Sequence, residues 1–307
     1  MSNKQLLYIA GPTAIGKTAL SIALAKALNT EIISCDARQC FREMTIGTAV
    51  PLDEERAGIP HHFIQNKSIF QGFDAGAFEK EGLKLLDQLF QKHDYLIMVG
   101  GSGLYAQALV EGLDDFPQIN PKAISKLKLI HQKDGLEGLQ KLLKEKDPVY
   151  YKKVDLSNPR RLLRALQVCE TAQKPYSSFL GQSTKKRAFT SKTLLLKLPR
   201  EQLYDRINRR VEFMVESGLK NEAQNLYPHK DLTALQTVGY REWFDHFDGK
   251  FSHDEAIAEI QKNTRHYAKR QITWFNQRNA KEIPMQVPLK ALEMALQIVE
   301  NTSDDRS

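Results

Sequence analysis

The sequence is poor in cysteine and has no long apolar run, and both absences narrow the class of protein. Its three cysteines, Cys35, Cys40 and Cys169, include no pair with CxxC spacing, so neither a disulfide framework nor a zinc site is indicated. The apolar run at residues 6–10 is too short for a signal peptide or a membrane span. We therefore expect a cytoplasmic protein with no membrane partner.

The sequence also lacks a strong overall charge, because 44 Lys and Arg face 37 Asp and Glu and leave a net charge of +7. The basic residues are nevertheless concentrated. Residues 152–192 hold ten basic and two acidic side chains, and residues 262–281 hold six basic and no acidic ones. Local basic stretches suit a polyanion such as a nucleic acid. Two solvated helix faces would give the same pattern, so charge alone leaves the partner open.

Apolar patterning predicts an α/β fold with an insertion. Short buried strands at residues 6–10, 31–35 and 95–99 alternate with helical patterns, which indicates a parallel sheet covered on both faces. Residues 114–190 are polar, basic and helical, and residues 193–198 return to a strand pattern. We predict a core of residues 1–113 and 191–307, with helices at 200–226 and 254–277, and a helical, basic insertion at 114–190.

The segment GPTAIGKT at residues 11–18 matches the phosphate-binding pattern GxxxxGK[ST], follows a strand and opens a helix. Its glycines let backbone N–H groups turn around an anion, and the helix N-terminus adds positive charge. The α/β core is therefore predicted to be P-loop NTPase-like. The motif predicts a di- or triphosphate site formed by Gly11, Pro12, Thr13, Ala14, Ile15, Gly16, Lys17 and Thr18, with Mg²⁺ on the Thr18 hydroxyl.

Two further strand ends carry candidate site residues, since the carboxyl ends of parallel strands meet at one ligand crevice. Asp36, in SCDARQ at residues 34–39, is a candidate Mg²⁺ ligand or general base, although a turn or helix-cap aspartate would look the same. In GGSGLY at residues 100–105, the glycines around Ser102 allow close approach by a ligand or simply form a tight turn. An Asp-rich Walker B strand is not evident, which argues against NTP hydrolysis.

Ten sequence blocks together resemble the tRNA dimethylallyltransferase family. The resemblance spans roughly residues 6–278 in order and rests on GPTAIGKT (11–18), SCDARQ (34–39), IGTA (46–49), PHH (60–62), GGSGLY (100–105), NPRRL (158–162), RINRRV (206–211), GL with Glu222 (218–222), GYRE (239–242) and YAKRQITWF (267–275). Each block beyond the phosphate-binding loop is weak alone, but their common order is specific.

The resemblance implies transfer of a dimethylallyl group from dimethylallyl diphosphate to N6 of the adenosine 3′ to the tRNA anticodon. On this hypothesis Lys17, Arg210 and Mg²⁺ stabilise the leaving diphosphate. Arg206 and Arg209 are the alternatives to Arg210, or surface ion-pair partners. Asp36 accepts an N6 proton as general base, and Ser102 assists as a second polar contact. The adenosine has to be flipped out of its stack to reach them.

The same resemblance, with the charge pattern, predicts the tRNA-binding residues. Cations contact phosphates, and the aromatic side chains of Trp274 and Phe275 either stack on splayed bases or belong to the core. The predicted contacts with the anticodon stem-loop are Asp36, Ala37, Arg38, Gln39, Ser102, Arg160, Arg161, Arg164, Lys269 and Arg270.

Some positions depart from the family pattern, and rival functions remain. Ala37 and Ser102 stand where the family commonly has Ser and Thr, while Phe41 and Val50 replace a common Tyr and Lys. A small-molecule or nucleotide kinase would share the loop and sheet. A non-catalytic nucleic-acid-binding ATPase module and a prenyltransferase acting on free adenosine nucleotides are further alternatives. We expect a monomer.

Overall fold

The computed structural model describes residues 4–181 and 185–304, with side chains as far as residue 300. The strands are β1 (Gln5–Ala10), β2 (Ile32–Ser34), β3 (His61–His62), β4 (Tyr95–Gly100), β5 (Thr190–Lys197) and β6 (Lys281–Pro284). The helices are α1 (Lys17–Leu28), α2 (Asp53–Arg56), α3 (Ala75–Leu89), α4 (Gly103–Val110), α5 (Pro121–Lys146), α6 (Pro148–Tyr151), α7 (Pro159–Ala172), α8 (Arg200–Glu216), α9 (Leu219–Leu226), α10 (Arg241–Phe247), α11 (His253–Asn276) and α12 (Pro288–Asp304). Short 3-10 helices cover Tyr176–Phe179, Tyr227–His229 and Thr233–Leu235.

All six strands form one parallel sheet in the order β3-β2-β4-β1-β5-β6. The central strand β1 is buried along its whole length, as expected for a strand covered on both faces. The predicted parallel α/β fold is confirmed. The two edge strands β3 and β6 were not predicted, because they have two and four residues and β6 buries only Ile283.

The segment 200–226 is mostly helical, as predicted, but it forms two helices. Helix α8 ends at Glu216, and α9 begins after Gly218, whose φ of 99° lies in the left-handed region. Glycine occupies this region without the steric cost of a side chain, so the backbone can change direction there. The break separates the part of the segment that carries Arg206 and Arg210 from the part that carries Glu222.

The chain divides into two compact units. The first joins the segment up to Val110 with the segment from Arg187 onward and contains the sheet. The second, Glu111–Lys186, packs α5 and α7 around a small core of Leu127, Leu139, Leu143, Leu162, Ala165 and Leu166. Across residues 4–181 and 185–304, no helix combines the length and apolarity needed to cross a membrane.

Candidate active site

A cavity of about 340 Å³ opens at the carboxyl ends of β1, β2 and β4. Its walls come from the phosphate-binding loop, from the segment after β2 and from α8 and α11. The lining residues with polar side chains include Thr13, Lys17, Thr18, Ser34, Asp36, Arg38, Gln39, Arg210, Tyr267 and Gln271. Among the predicted residues of the phosphate-binding loop and of the 34–39 and 100–105 segments, Gly11, Pro12, Ala37 and Ser102 do not line it, although each lies next in sequence to a residue that does or to another loop residue.

The phosphate-binding loop has the backbone that its glycines predict. Gly16 has a φ of 106° and precedes α1, so the first N–H groups of that helix face the cavity side of the loop. The Lys17 Nζ donates hydrogen bonds to the carbonyl oxygens of Gly11, at 3.0 Å, and Pro12, at 2.8 Å. Burial and, secondarily, the charge of Arg210 lower the pKa of Lys17 to about 8. The loop therefore presents a cation that an anion would stabilise.

Three arginines of α8 have different surroundings. Arg210 lines the cavity, and burial lowers the pKa of its guanidinium. Arg206 donates to the Ile15 carbonyl oxygen at 3.2 Å and so supports the loop from outside. Arg209 is exposed and forms an ion pair with Asp205, 2.6 Å between Nη2 and Oδ2. Arg210 is thus the one of these three guanidinium groups that lines the cavity, and the ion-pair alternative applies to Arg209.

Asp36 lies in a turn and also lines the cavity. Its Oδ1 accepts hydrogen bonds from the N–H groups of Arg38, at 2.9 Å, and Gln39, at 3.3 Å, which is the behaviour of a turn aspartate. The same side chain lines the cavity, and within the described residues its Oδ2 accepts no hydrogen bond. The turn therefore fixes the carboxylate while one oxygen remains available to a ligand.

The Ser102 hydroxyl is engaged by the protein itself. Its Oγ accepts the Ala37 N–H at 3.0 Å, and the Tyr267 side chain lies near it. Burial raises the pKa of Tyr267, so this phenol stays protonated beside the cavity. Ser102 thus joins the end of β4 to the end of β2, and Tyr267 is the group of this set that lines the cavity.

Two glycines of the 100–105 loop make room for side chains of α11, while Gly100 and Gly101 also line the cavity. A Cβ on Gly101 would lie 2.1 Å from Gln271 Nε2. A Cβ on Gly103 would lie 1.9 Å from the indole nitrogen of Trp274. Both partners belong to α11, so this loop and the YAKRQITWF block require each other.

A half-buried carboxylate that the sequence did not single out as functional holds the far wall. Glu222 accepts the N–H groups of Thr45, Ile46 and Gly47 at 2.8–3.0 Å and the Tyr240 hydroxyl at 2.7 Å. Gly47 lies against the Tyr240 ring, where a Cβ would come within 2.6 Å. The sequence signal for this contact was the presence of all three blocks, IGTA, GL with Glu222 and GYRE, because their residues meet in the fold.

The predicted tRNA-binding cations are exposed within their own units. Arg160, Arg161 and Arg164 lie on α7, whose N-terminus is capped by Asn158 with Pro159 in the first turn. In the other unit, Lys269 and Arg270 are exposed on α11, with the Arg270 guanidinium 5.8 Å from the Tyr267 ring centre. Phe275 is 2% exposed and contacts Tyr8, so it belongs to the core and the base-stacking alternative is wrong for it.

A parallel α/β sheet whose phosphate-binding loop shares a cavity with an arginine and a fixed carboxylate is typical of P-loop enzymes that bind a phosphorylated substrate. The sequence model of the IPP transferase family matches residues 39–278. The chain is 52% identical over 278 residues to the tRNA dimethylallyltransferase of Flavobacterium johnsoniae, covering 89% of this chain and 90% of that one. The chain belongs to the IPP transferase family.

Solved structures agree with that assignment. The full-length tRNA isopentenylpyrophosphate transferase of Bacillus halodurans aligns with a TM-score of 0.70 at 34% identity, over 98% of this chain and 97% of that one. A eukaryotic dimethylallyltransferase acting on tRNA aligns with a TM-score of 0.84 at 25% identity, over 99% and 80%. The predicted family, fold and enzyme class are confirmed.

Proposed function

We propose that this enzyme transfers the dimethylallyl group of dimethylallyl diphosphate to N6 of the adenosine 3′ to the anticodon of tRNA. The observation that carries the proposal is the single cavity in which the phosphate-binding loop and Arg210 share walls with the Asp36 carboxylate. In the reaction, the bond from C1 of the prenyl group to the diphosphate oxygen breaks, a bond from C1 to N6 forms, and one N6 proton leaves.

The loop side of the cavity suits the leaving diphosphate. Lys17 and Arg210 are half-buried cations that line the cavity, and the amides at the start of α1 add partial positive charge without reorganisation during the reaction. Lys17 has to leave its loop carbonyls to meet the anion, which costs two hydrogen bonds and restores its full charge. These groups stabilise the negative charge that develops as the C1–O bond breaks.

A divalent cation fits this side of the cavity. Thr18 lines it with a hydroxyl, and hydroxyl and phosphate oxygens are ligands that Mg²⁺ prefers. In the part of the chain that the structure describes, no group of three or more His, Cys, Asp or Glu side chains could hold a metal alone. Thr18 would therefore hold Mg²⁺ together with the substrate, and the ion would neutralise diphosphate charge.

The Asp36 side suits the acceptor amine. The N6 lone pair is delocalised into the adenine ring, so the amine needs both orientation and removal of a proton. The Asp36 oxygen left outside its turn can accept an N6–H and then take that proton, a role worth about 10²–10⁴-fold in rate. The exposed cations of α7 and α11 would contact the tRNA backbone, with Arg38 and Gln39 beside the flipped base.

The monomeric state and the cytoplasmic location of the enzyme stay predictions.

The test is a product analysis. Purified enzyme is incubated with unmodified tRNA, dimethylallyl diphosphate and Mg²⁺, and the digested RNA is analysed by mass spectrometry for adenosine carrying a five-carbon unit. We expect that product only with tRNAs that have adenosine 3′ to the anticodon. A folded, diphosphate-binding sample that leaves such tRNAs unmodified would refute the proposal, and NTP-dependent phosphorylation would then favour the kinase alternative.

A further inference from the structure

We propose that Gln271 is a positioning residue that fixes the separation between the diphosphate loop and the acceptor side of the cavity. The inference rests on the proposed function, because it assigns the two sides of the cavity to donor and acceptor. It adds a residue from α11, which belongs to neither the phosphate-binding loop nor the Asp36 segment.

Gln271 spans the two sides with both ends of its amide. Its Oε1 accepts the N–H of Thr13 at 2.9 Å, and its Nε2 donates to the carbonyl oxygen of Gly101 at 2.9 Å. Thr13 belongs to the loop after β1, and Gly101 follows β4. One side chain therefore joins the ends of two adjacent strands at the cavity.

The connection continues to the general base. Beside Gly101, the Ser102 hydroxyl accepts the Ala37 N–H at 3.0 Å, and Ala37 follows Asp36. The loop, Gln271, the β4 end and the Asp36 turn are thus linked in one series of hydrogen bonds and adjacent residues. Moving the loop relative to Asp36 requires breaking a bond in that series.

Close packing around Gln271 restricts the movement of its side chain. The residue is 6% exposed, and the space beside Gly101 is so closely filled that a Cβ there would lie 2.1 Å from Nε2. The Thr13 amide is therefore already occupied, so it is not a diphosphate ligand. Anion binding falls instead to the loop amides nearer α1, to Lys17 and to Arg210. On this proposal Thr13 lines the phosphate side of the cavity without contributing its amide.

The expected consequence of losing this bridge is a rate effect rather than a binding effect. The reaction rate depends steeply on the distance between the reacting groups, and a displacement of about 1 Å can lower the rate by about 10²-fold. The cations that bind diphosphate are not bonded to Gln271, so affinity for the donor should change little. If Gln271 were needed only for folding, its replacement would instead lower the stability of the protein, the rate of prenyl transfer and the affinity for diphosphate together.

The experiment uses Gln271→Met, which keeps the length of the side chain and removes both hydrogen bonds, and Gln277→Met, an exposed glutamine beyond the end of α11, as the matched control. Single-turnover prenyl transfer at saturating tRNA and donor, and the Kd for inorganic diphosphate with Mg²⁺, are measured for both. We expect a rate loss of about 10–100-fold in Gln271→Met with Kd within about threefold of wild type, and neither change in the control. A Kd that rises in proportion to the rate loss, or an unchanged rate, overturns the proposal.

A second readout does not depend on prenyl transfer or on the variant's folding. The Thr13 amide is followed by NMR in the wild-type enzyme while inorganic diphosphate with Mg²⁺ is titrated. We expect this amide to stay protected from solvent exchange before and after binding, while the amides of Gly16 and Lys17 shift. Rapid exchange in the empty enzyme, or transfer of the Thr13 amide to the anion, contradicts the bridge. Failure of the wild type to prenylate tRNA would refute the proposed function while leaving this result to decide the role of Gln271.

Discussion

The cations of the cavity and the cations of α7 have the same charge but opposite surroundings. Lys17 and Arg210 are enclosed, and burial lowers the pKa of both. Arg160, Arg161 and Arg164 are exposed on α7. A buried cation lacks the screening of water and interacts strongly with one nearby anion, whereas an exposed one contributes a weak, salt-dependent attraction. On the proposed function, the same charge serves the chemistry in one unit and polyanion binding in the other.

The largest effect is expected for the carboxylate that shares the cavity with the buried cations. Asp36→Asn keeps an oxygen for the turn but cannot take a proton, so the single-turnover rate of prenyl transfer should fall by about 10²–10⁴-fold. Asp155→Asn is the matched control, since Asp155 accepts the Ser157 N–H in a similar turn of the other unit. Equal rates for the two variants would show that Asp36 only shapes its turn.

The next effect compares two arginines one position apart. Arg210→Gln removes the guanidinium that lines the cavity, and the Kd for inorganic diphosphate should rise by about 10–100-fold, the range of a hydrogen bond to a charged group. Arg209→Gln removes an exposed guanidinium paired with Asp205 and should change Kd by less than about twofold. Calorimetric titration measures both. Similar increases in Kd for the two variants would mean that the position of Arg210 in the cavity does not make it a better diphosphate ligand than Arg209.

The pH dependence of binding tests the surroundings of Lys17. Because the pKa of Lys17 is about 8 in the empty enzyme, the loop loses its cation as pH rises above 8, and affinity for diphosphate should fall by up to about tenfold per pH unit. The unfolded chain keeps this proton up to about pH 10.5, so between pH 8 and 10.5 it holds more protons than the folded empty enzyme. The Lys17 contribution to stability therefore rises with pH in the window where binding weakens.

Lys17→Gln supplies the control for that experiment. The variant should bind diphosphate weakly at every pH and lack the alkaline decline. A decline that persists in Lys17→Gln would assign the titration to another group.

The smallest effect is expected for the exposed cations. Replacing Arg160, Arg161 and Arg164 together by Ala should reduce the salt dependence of tRNA binding. The slope of log K against log salt should become shallower by about one unit for each phosphate that the variant no longer neutralises. Prenyl transfer at saturating tRNA should be unchanged. Arg200→Ala, an exposed arginine at the start of α8, is the control. A lower rate at saturation would place the α7 arginines in the chemistry rather than in tRNA binding.

The central sheet and the phosphate-binding loop could be predicted because their signals are local. A buried apolar run, a glycine turn and the start of a helix follow one another within residues 5–28. The edge strands escaped prediction since two to four residues give no periodicity. The break at Gly218 was missed because the apolar pattern continues on both sides of it.

The far side of the cavity could not be predicted, because its contacts join residues distant in sequence. Gln271 meets Thr13 across 258 positions, and Glu222 meets Thr45 across 177. The sequence around Gln271 and around Glu222 contains no local motif that predicts the partner of either side chain. The sequence indicated residue types at Asp36, Lys17 and Arg210, whereas only the packing of α8 and α11 shows which of the neighbouring side chains face the same space.

The most direct test of the shared cavity is a paired measurement on Asp36→Asn and Lys17→Gln, taking the Kd for diphosphate with Mg²⁺ and the single-turnover rate of prenyl transfer to tRNA for each. If the loop side binds the diphosphate and the Asp36 side binds the acceptor amine, Asp36→Asn keeps its affinity for diphosphate within about threefold and loses about 10²–10⁴-fold in rate. Lys17→Gln instead loses affinity for diphosphate at pH 7. Loss of diphosphate binding in Asp36→Asn, or full prenyl transfer by it, would contradict the assignment of the two sides.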